Sequence, residues 1–214
     1  MDGLNPRGGW IEVITGGMFS GKSEELIRRI RRAEIARQRV QIFKPGIDNR
    51  FDTRRIVSRD NRGIDAIAVS NSTELRSKVV IGVKVLGIDE VQFFDDSIVD
   101  VCMELADAGV RVVVAGLDQD YLRRPFGPMP ALLAVAEYAS KMHAVCVRCG
   151  GPAHYSQRVS GGNSQIEVGD ISYEARCRQC FEPYRALSDA KAEQEKVQAE
   201  PIKLVEQVKT AEQL

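Results

Sequence analysis

Apolar and polar positions along this chain change period several times, alternating strand-like runs with helical ones. An apolar stretch from Trp10 to about Thr15 predicts a first strand. From about Lys22 to Gln38, Leu26, Ile27, Ile30 and Ala33 fall on one face of a helix, and Arg28, Arg29, Arg31 and Arg32 cover the others as a solvated or subunit-facing surface. Val40-Gln41-Ile42-Phe43 alternates like a second strand and stops at the turn signal Lys44-Pro45-Gly46. From Ile47 to Gly63 the chain is rich in Arg and Asp without a period, so a long loop is expected there. Ala66 to Val69 reads as a short strand, and Asn71-Ser72-Thr73-Glu74 as the cap of a short helix ending near Val79.

Val83 to Ile88 predicts a buried strand. Asp95 to Ala108 predicts a helix that buries Val99, Met103, Leu105 and Ala106, encloses Cys102 as a small hydrophobe and stops at Gly109. The β-branched run Arg111 to Leu117 is the next strand, followed by a short helix around Pro130 to Tyr138 and a last strand from about Ser140 to Val147. This order implies an α/β fold, a mostly parallel sheet with helices on both faces. It divides the chain into a leader (1–9), an α/β unit (10–145), a smaller cysteine-bearing unit (146–185) and a charged, Ala- and Gln-rich tail (186–214).

Between the first strand and the first helix stands Gly16-Gly17-Met18-Phe19-Ser20-Gly21-Lys22-Ser23, which fits G-x-x-x-x-G-K-[ST]. Strand, glycine turn and helix N-terminus is the context a phosphate cradle requires, because backbone N–H groups must converge on phosphate oxygens. Lys22 is placed to reach the β- and γ-phosphates and Ser23 to offer a hydroxyl to Mg²⁺. A glycine-rich turn that merely ends in Lys-Ser is the blander reading, and the correct flanks argue against it. The strand ending at Ile88 runs into Asp89-Glu90, two acids where a P-loop protein organises Mg²⁺ and the attacking group. Gln92, Phe93 and Phe94 add an amide and two rings beside them, with at least one ring expected in the core. The loop Asp118–Gly127 leaves the carboxyl end of a strand, where ligands sit in open α/β sheets.

Composition narrows the class. Among 214 residues, Lys+Arg and Asp+Glu are 30 each, so formal net charge is zero and asks for neither nucleic acid nor an anionic membrane as partner. No run of ~18 apolar residues is present, and the expected compartment is the cytoplasm. Four of the five cysteines form two C-x-x-C pairs, Cys146 with Cys149 and Cys177 with Cys180. Four thiolates so arranged match a closed, structural Zn²⁺ site; a redox pair is the weaker alternative. His143 and His154, the only histidines, are then bystanders. The segment between the pairs is a loop pinned at both ends, able to fold over a ligand and exclude water.

Taken together, Gly-x-Met-Phe-Ser-Gly-Lys-Ser, Ile88-Asp89-Glu90 with Gln92-Phe93-Phe94, Leu117-Asp118 leading to Pro125-Phe126-Gly127, and the paired C-x-x-C with Tyr173 resemble the zinc-containing, cellular cytosolic thymidine kinases over about Ile11 to Tyr184. The resemblance implies a RecA-like P-loop NTPase fold with a zinc-ribbon-like lasso unit, and Mg²⁺- and ATP-dependent phosphorylation of the thymidine 5′-hydroxyl. It implies Glu90 as general base, ATP binding by Gly16 to Ser23, Asp89 and Gln92, and a magnesium site at Ser23 and Asp89. Met18, Phe93, Leu117, Tyr121 and Phe126 match the thymine pocket, and Ile166, Glu167, Val168, Gly169 and Tyr173 the lasso. It further implies a homotetramer with dTTP as feedback inhibitor. The rival reading is a P-loop ATPase whose zinc ribbon grips DNA, with Glu90 activating water.

Overall fold

The computed structural model describes residues 8–46, 55–57, 63–160 and 173–182. Strand β1 (Trp10–Gly16) leads through the glycine turn to helix α1 (Lys22–Ile35) and strand β2 (Val40–Pro45). A small hairpin, β3 (Arg55–Val57) with β4 (Gly63–Asp65), precedes β5 (Ile67–Val69) and α2 (Ser72–Lys78). Then come β6 (Val85–Ile88), a 3₁₀ turn over Val91–Phe93, α3 (Ile98–Asp107), β7 (Arg111–Gly116), α4 (Met129–Val135) and β8 (Tyr138–Met142). These build one six-stranded sheet in the order β5-β2-β6-β7-β1-β8, with every neighbouring pair parallel.

Alternation along the strands explains the layers. Ile11 and Val13 of β1, with Val112 and Val114 of β7, join Ile98, Val101, Cys102, Met129 and Leu132 from α3 and α4 on one face. Ile14, Val113 and Ala115 face the other way and meet Leu26, Ile27, Ile30 and Ala33 of α1. The expected helices on both faces are therefore present, because the central strands β1, β6 and β7 bury both of their sides. Strand β7 lies between β1 and β6, the RecA-like arrangement. At about 4.8 Å per neighbour, the carboxyl ends of β1 and β6 open a crevice about 10 Å across.

Several expectations are corrected. Helix α1 stops at Ile35, three residues before Gln38, because Arg37 takes a left-handed φ of 56° and the Gln38 N–H bonds back to the Ala33 carbonyl at 3.0 Å. Arg29 is no solvated surface group: it is half-buried and donates to Glu12 at 2.7 Å, Glu25 at 2.8 Å and Ser140 at 2.9 Å. Helix α3 begins at Ile98 because the chain ahead of it is engaged elsewhere, Asp95 accepting from both the N–H and the hydroxyl of Ser72. Cys102 and Ala106 are buried as expected, together with Ile98 and Val101; Val99 and Leu105 pack partly buried against the core, and Met103 is exposed. Part of the expected 47–63 loop is the β3–β4 hairpin; the rest lies outside the described residues, as do most of the leader and the tail.

Beyond β8 the chain leaves the large sheet for two small antiparallel pairs, β9 (Ala144–Val145) with β10 (Pro152–Ala153) and β11 (Tyr155–Arg158) with β12 (Tyr173–Arg176). Backbone bonds from Val147 to Ala175 and from His154 to Arg176 tie the pairs together.

Candidate active site

The phosphate cradle forms where β1 ends. Gly16 has φ 146°, and a β-carbon there would stand 2.3 Å from the Met142 carbonyl oxygen of the adjacent strand end. Gly21 sits at φ 81° as the turn enters α1, a conformation that favours glycine. Phe19 shares the left-handed region at φ 67°. The Gly17 carbonyl gathers the loop, accepting from Ser20 Oγ and from Lys22 Nζ, each at 2.8 Å. The lysine is thus folded over the turn it serves, and the first turn of α1 presents backbone N–H groups to the same space.

Across the crevice, Ser23 Oγ donates to Asp89 Oδ1 at 3.2 Å, joining the start of α1 to the end of β6. Burial and the neighbouring charge of Glu90 push the Asp89 carboxyl up to about 7, against the pull of Ser23 and Lys22. A carboxylate in that state gains most from a cation placed beside it. Glu90 holds φ 50° and ψ 40°, a left-handed conformation sparsely used by non-glycine residues. That kink turns the chain from β6 into the 3₁₀ turn and brings the Glu90 carboxylate over Gln92, whose Nε2 donates to Oε2 at 2.6 Å. The other end of the same amide, Oε1, accepts from the Leu117 N–H at 3.0 Å. Gln92, expected from resemblance at ATP, is buried, with both ends of its amide engaged by the protein.

Two of the aromatic candidates meet. Phe93 and Phe126 pack edge to face with centroids 5.6 Å apart, while Phe94 goes into the core. Tyr121 is buried on the loop after β7, and Leu117 is half-buried at its start. Met18 reaches the cysteine-bearing unit: its N–H donates to Ser156 Oγ at 2.9 Å. Tyr173 opens β12, and its hydroxyl accepts from Arg158. Ile166, Glu167, Val168 and Gly169 lie outside the described residues. Sequence reasoning passed over Ser156 and Arg158; their only signal is a polar run, Tyr155-Ser156-Gln157-Arg158, that the fold buries throughout.

The four cysteine sulfurs lie within 4.8 Å of one another, and Cys149 and Cys177 approach to 3.6 Å. Tetrahedral Zn–S bonds of ~2.3 Å place sulfurs ~3.8 Å apart, so the spacing suits zinc. The charges agree. For Cys146, burial pushes the thiol up, but the N–H groups of Cys177, Cys149 and Arg148 overcome it and bring it to about 6. The sulfurs around Cys180 push that thiol up to about 12, which a dication at the centre would reverse. Among the described residues this is the one such cluster, and the two histidines pack edge to face on each other instead, with ring centroids 4.3 Å apart.

A sequence model described as thymidine kinase matches residues 9–181. The chain belongs to the thymidine kinase family. It is 51% identical over 181 residues to the thymidine kinase of Rhodothermus sp. (strain ITI 518), covering 84% of each chain. It is 52% identical over 176 residues to that of Bdellovibrio bacteriovorus, covering 82% of this chain and 86% of the relative. With the thymidine kinase of Bacteroides fragilis it shares 50% identity over 184 residues, 86% of this chain and 91% of the relative. Among solved structures, domain III of the Thermotoga maritima replication initiation protein DnaA aligns at a TM-score of 0.39 and 18% identity, over 65% of this chain and 56% of its own. So distant a likeness says nothing about function. Membership makes the protein a kinase, an enzyme whose family uses ATP and a divalent metal. Among the described residues, no helix is long and apolar enough to cross a membrane.

Proposed function

We propose that this member of the family transfers the γ-phosphoryl group of ATP to the 5′-hydroxyl of thymidine, giving dTMP for deoxynucleotide salvage in the cytoplasm. The observation that supports the reading is the Glu90 carboxylate, held by Gln92 at 2.6 Å and directly following Asp89, which pairs with Ser23. Along the chain it stands between that phosphate-side acid and Phe93, which packs on Phe126. It accepts the 5′-hydroxyl proton as the oxygen attacks in line. Lys22 neutralises charge that develops on the transferring group, and the turn from Gly16 to Ser23 orients the phosphates.

Ser23 and Asp89 would hold Mg²⁺, which would supply positive charge to offset that of the phosphates. Cys146, Cys149, Cys177 and Cys180 would hold a structural Zn²⁺ that leaves no ligand position open. The nucleoside sits among Met18, Phe93, Leu117, Tyr121 and Phe126, with Ile166 to Gly169 and Tyr173 closing on it. Main-chain donors and acceptors there separate thymine from cytosine, whose exocyclic amine presents a donor in place of an acceptor. Deoxyuridine is tolerated, dTTP inhibits, and the enzyme is a homotetramer of chains divided at about residue 145.

The test is ATP consumption by purified protein with Mg²⁺ across thymidine, deoxyuridine, deoxycytidine, deoxyadenosine and single-stranded DNA, with dTMP measured directly. ADP and dTMP formed in equal amounts with thymidine are expected. ADP released without a phosphorylated nucleoside, and faster with DNA, would replace the kinase with a DNA-stimulated ATPase.

A further inference from the structure

Arg158, at the end of β11, is only 1% exposed, an unusual position for a guanidinium because removal from water is costly unless its surroundings compensate. Two tyrosines surround it. Its Cζ stands 3.7 Å from the centroid of the Tyr121 ring and 5.2 Å from that of Tyr173. Its Nε and Nη2 donate to the Tyr173 hydroxyl at 3.2 and 2.5 Å. Tyr121 belongs to the loop that follows β7 of the large sheet, and Tyr173 to the cysteine-bearing unit. One flat, charged group therefore joins two rings supplied by separate parts of the fold.

A second arginine crosses the same boundary in the opposite direction. Arg123, two residues after Tyr121, stands with its Cζ 4.7 Å from the Phe181 centroid and 5.5 Å from that of Tyr155. Those two rings pack edge to face at 5.4 Å. Phe181 directly follows Cys180, and its N–H donates to the Cys177 carbonyl, so the slot holding Arg123 is framed by the cysteine cluster itself. Loop and unit are thus joined twice, by Arg158 of the unit on the loop's Tyr121 and by Arg123 of the loop on the unit's Phe181 and Tyr155.

We propose that Arg158 is a positioning residue for nucleoside selection: by stacking on Tyr121 while gripping the Tyr173 hydroxyl, it fixes the separation of two pocket walls, with Arg123 as the return brace. This rests on the reading of Tyr121 and Tyr173 as walls of the thymidine pocket. The requirement is for arginine, since the stack and the two-pronged grip both need a planar fork that lysine lacks. The consequence falls first on the nucleoside, because the ring that Arg158 stacks on and the hydroxyl that it grips belong to Tyr121 and Tyr173 of that pocket.

The experiment compares wild type with Arg158→Met, Arg158→Lys and Arg123→Ala, measuring KM for thymidine and for ATP, kcat, zinc per chain and the ratio of kcat/KM for thymidine over deoxycytidine. Arg158→Met is expected to raise KM for thymidine ~10-fold or more and to lower the selectivity ratio, with KM for ATP within about twofold and zinc retained, since ~1 Å of misplacement costs up to ~10²-fold. Arg158→Lys falls between it and wild type, and provides the same readouts if the methionine variant does not fold. Arg123→Ala shifts the thymidine parameters in the same direction by less. A folded, zinc-loaded Arg158→Met or Arg158→Lys with wild-type thymidine KM and selectivity overturns the brace, as does a parallel rise in both KM values. Failure of wild type to phosphorylate thymidine removes the pocket reading and the brace with it, an outcome visible before any variant is made.

Discussion

Gln92 offers the sharpest test of how this site holds its base. Its amide spans from the Glu90 carboxylate, at 2.6 Å, to the Leu117 N–H, at 3.0 Å, and the side chain is buried. Replacing it with leucine keeps the volume roughly constant and deletes both bonds. One is charge-assisted, and the other leaves a backbone donor without its partner; with some return from burying an apolar side chain, the net loss of stability should be about 2–4 kcal/mol. The catalytic loss has a different origin. Glu90 holds a strained left-handed backbone at φ 50°, and the Gln92 amide is one of the contacts that fix where its carboxylate lies. Released, the carboxylate samples positions an ångström or more away, enough to lower kcat by ~10²-fold. Equilibrium binding of an ATP analogue should hold within about threefold, because Lys22, Ser23 and Asp89 keep their contacts. Denaturant titration separates the stability loss from the kinetic one. A Gln92→Leu enzyme with wild-type kcat would refute the claim that this amide positions Glu90, whatever its stability.

Three further outcomes follow from the same contacts. Glu90→Gln should bind nucleotide nearly as wild type while turnover falls by ~10²-fold or more, and single-turnover kinetics showing an unchanged chemical step would take Glu90 out of the base role. Cys177→Ser should lose zinc and loosen the cysteine-bearing unit, seen as sub-stoichiometric metal by elemental analysis and faster proteolysis between residues 146 and 182; full metal occupancy would count against the four-cysteine site. Glu12→Gln should cost about 2–4 kcal/mol in a urea titration, since the Glu12 carboxylate accepts from Trp10 and Arg111 on one oxygen and from Arg29 and Arg111 on the other. Burial pushes the Glu12 carboxyl up, but those hydrogen bonds outweigh it and leave it below its ordinary value of 4.5. The hydrogen bond from Arg28, with help from Arg29, brings Glu25 to about 2. Between those depressed values and 4.5 the unfolded chain binds more protons than the folded one. The contribution of these two carboxylates is therefore fully present above about pH 5 and is lost on acidification toward pH 2; Glu12→Gln should flatten part of that slope, and an unchanged slope would sink the assignment.

The parts of this fold that announce themselves in the sequence are those where a residue type is demanded by backbone or by charge. Gly16 and Gly21 must be glycine, or nearly so, given the Met142 carbonyl 2.3 Å from any β-carbon at the first and a φ of 81° at the second. The cysteine pairs are legible because thiolates have few other reasons to gather. What stayed hidden is pairing at a distance. Arg29 looks like one of four interchangeable surface arginines until β1 supplies Glu12 beneath it. The start of α3 follows the Asp95–Ser72 contact, which joins residues 23 apart. Arg158 is silent for the same reason: its partners, Tyr121 and Tyr173, come from the loop after β7 and from β12.

That pattern also explains why a metal far from the reacting atoms belongs in the account of catalysis. The cysteine-bearing unit does not merely follow the sheet in sequence; it lies across the phosphate cradle. Ser156 receives the Met18 N–H at 2.9 Å, and the His154 carbonyl oxygen lies 3.2 Å from where a β-carbon on Gly17 would stand. Gly17 in turn carries the carbonyl that gathers Ser20 and Lys22. Any loosening of β10 and β11 therefore reaches the turn that must orient triphosphate, as well as the loop that carries Tyr121. Zinc loss should consequently impair nucleotide binding and nucleoside binding together, whereas loss of the arginine brace impairs the nucleoside alone. The ratio of the two KM values separates a collapsed metal unit from a misplaced pocket wall.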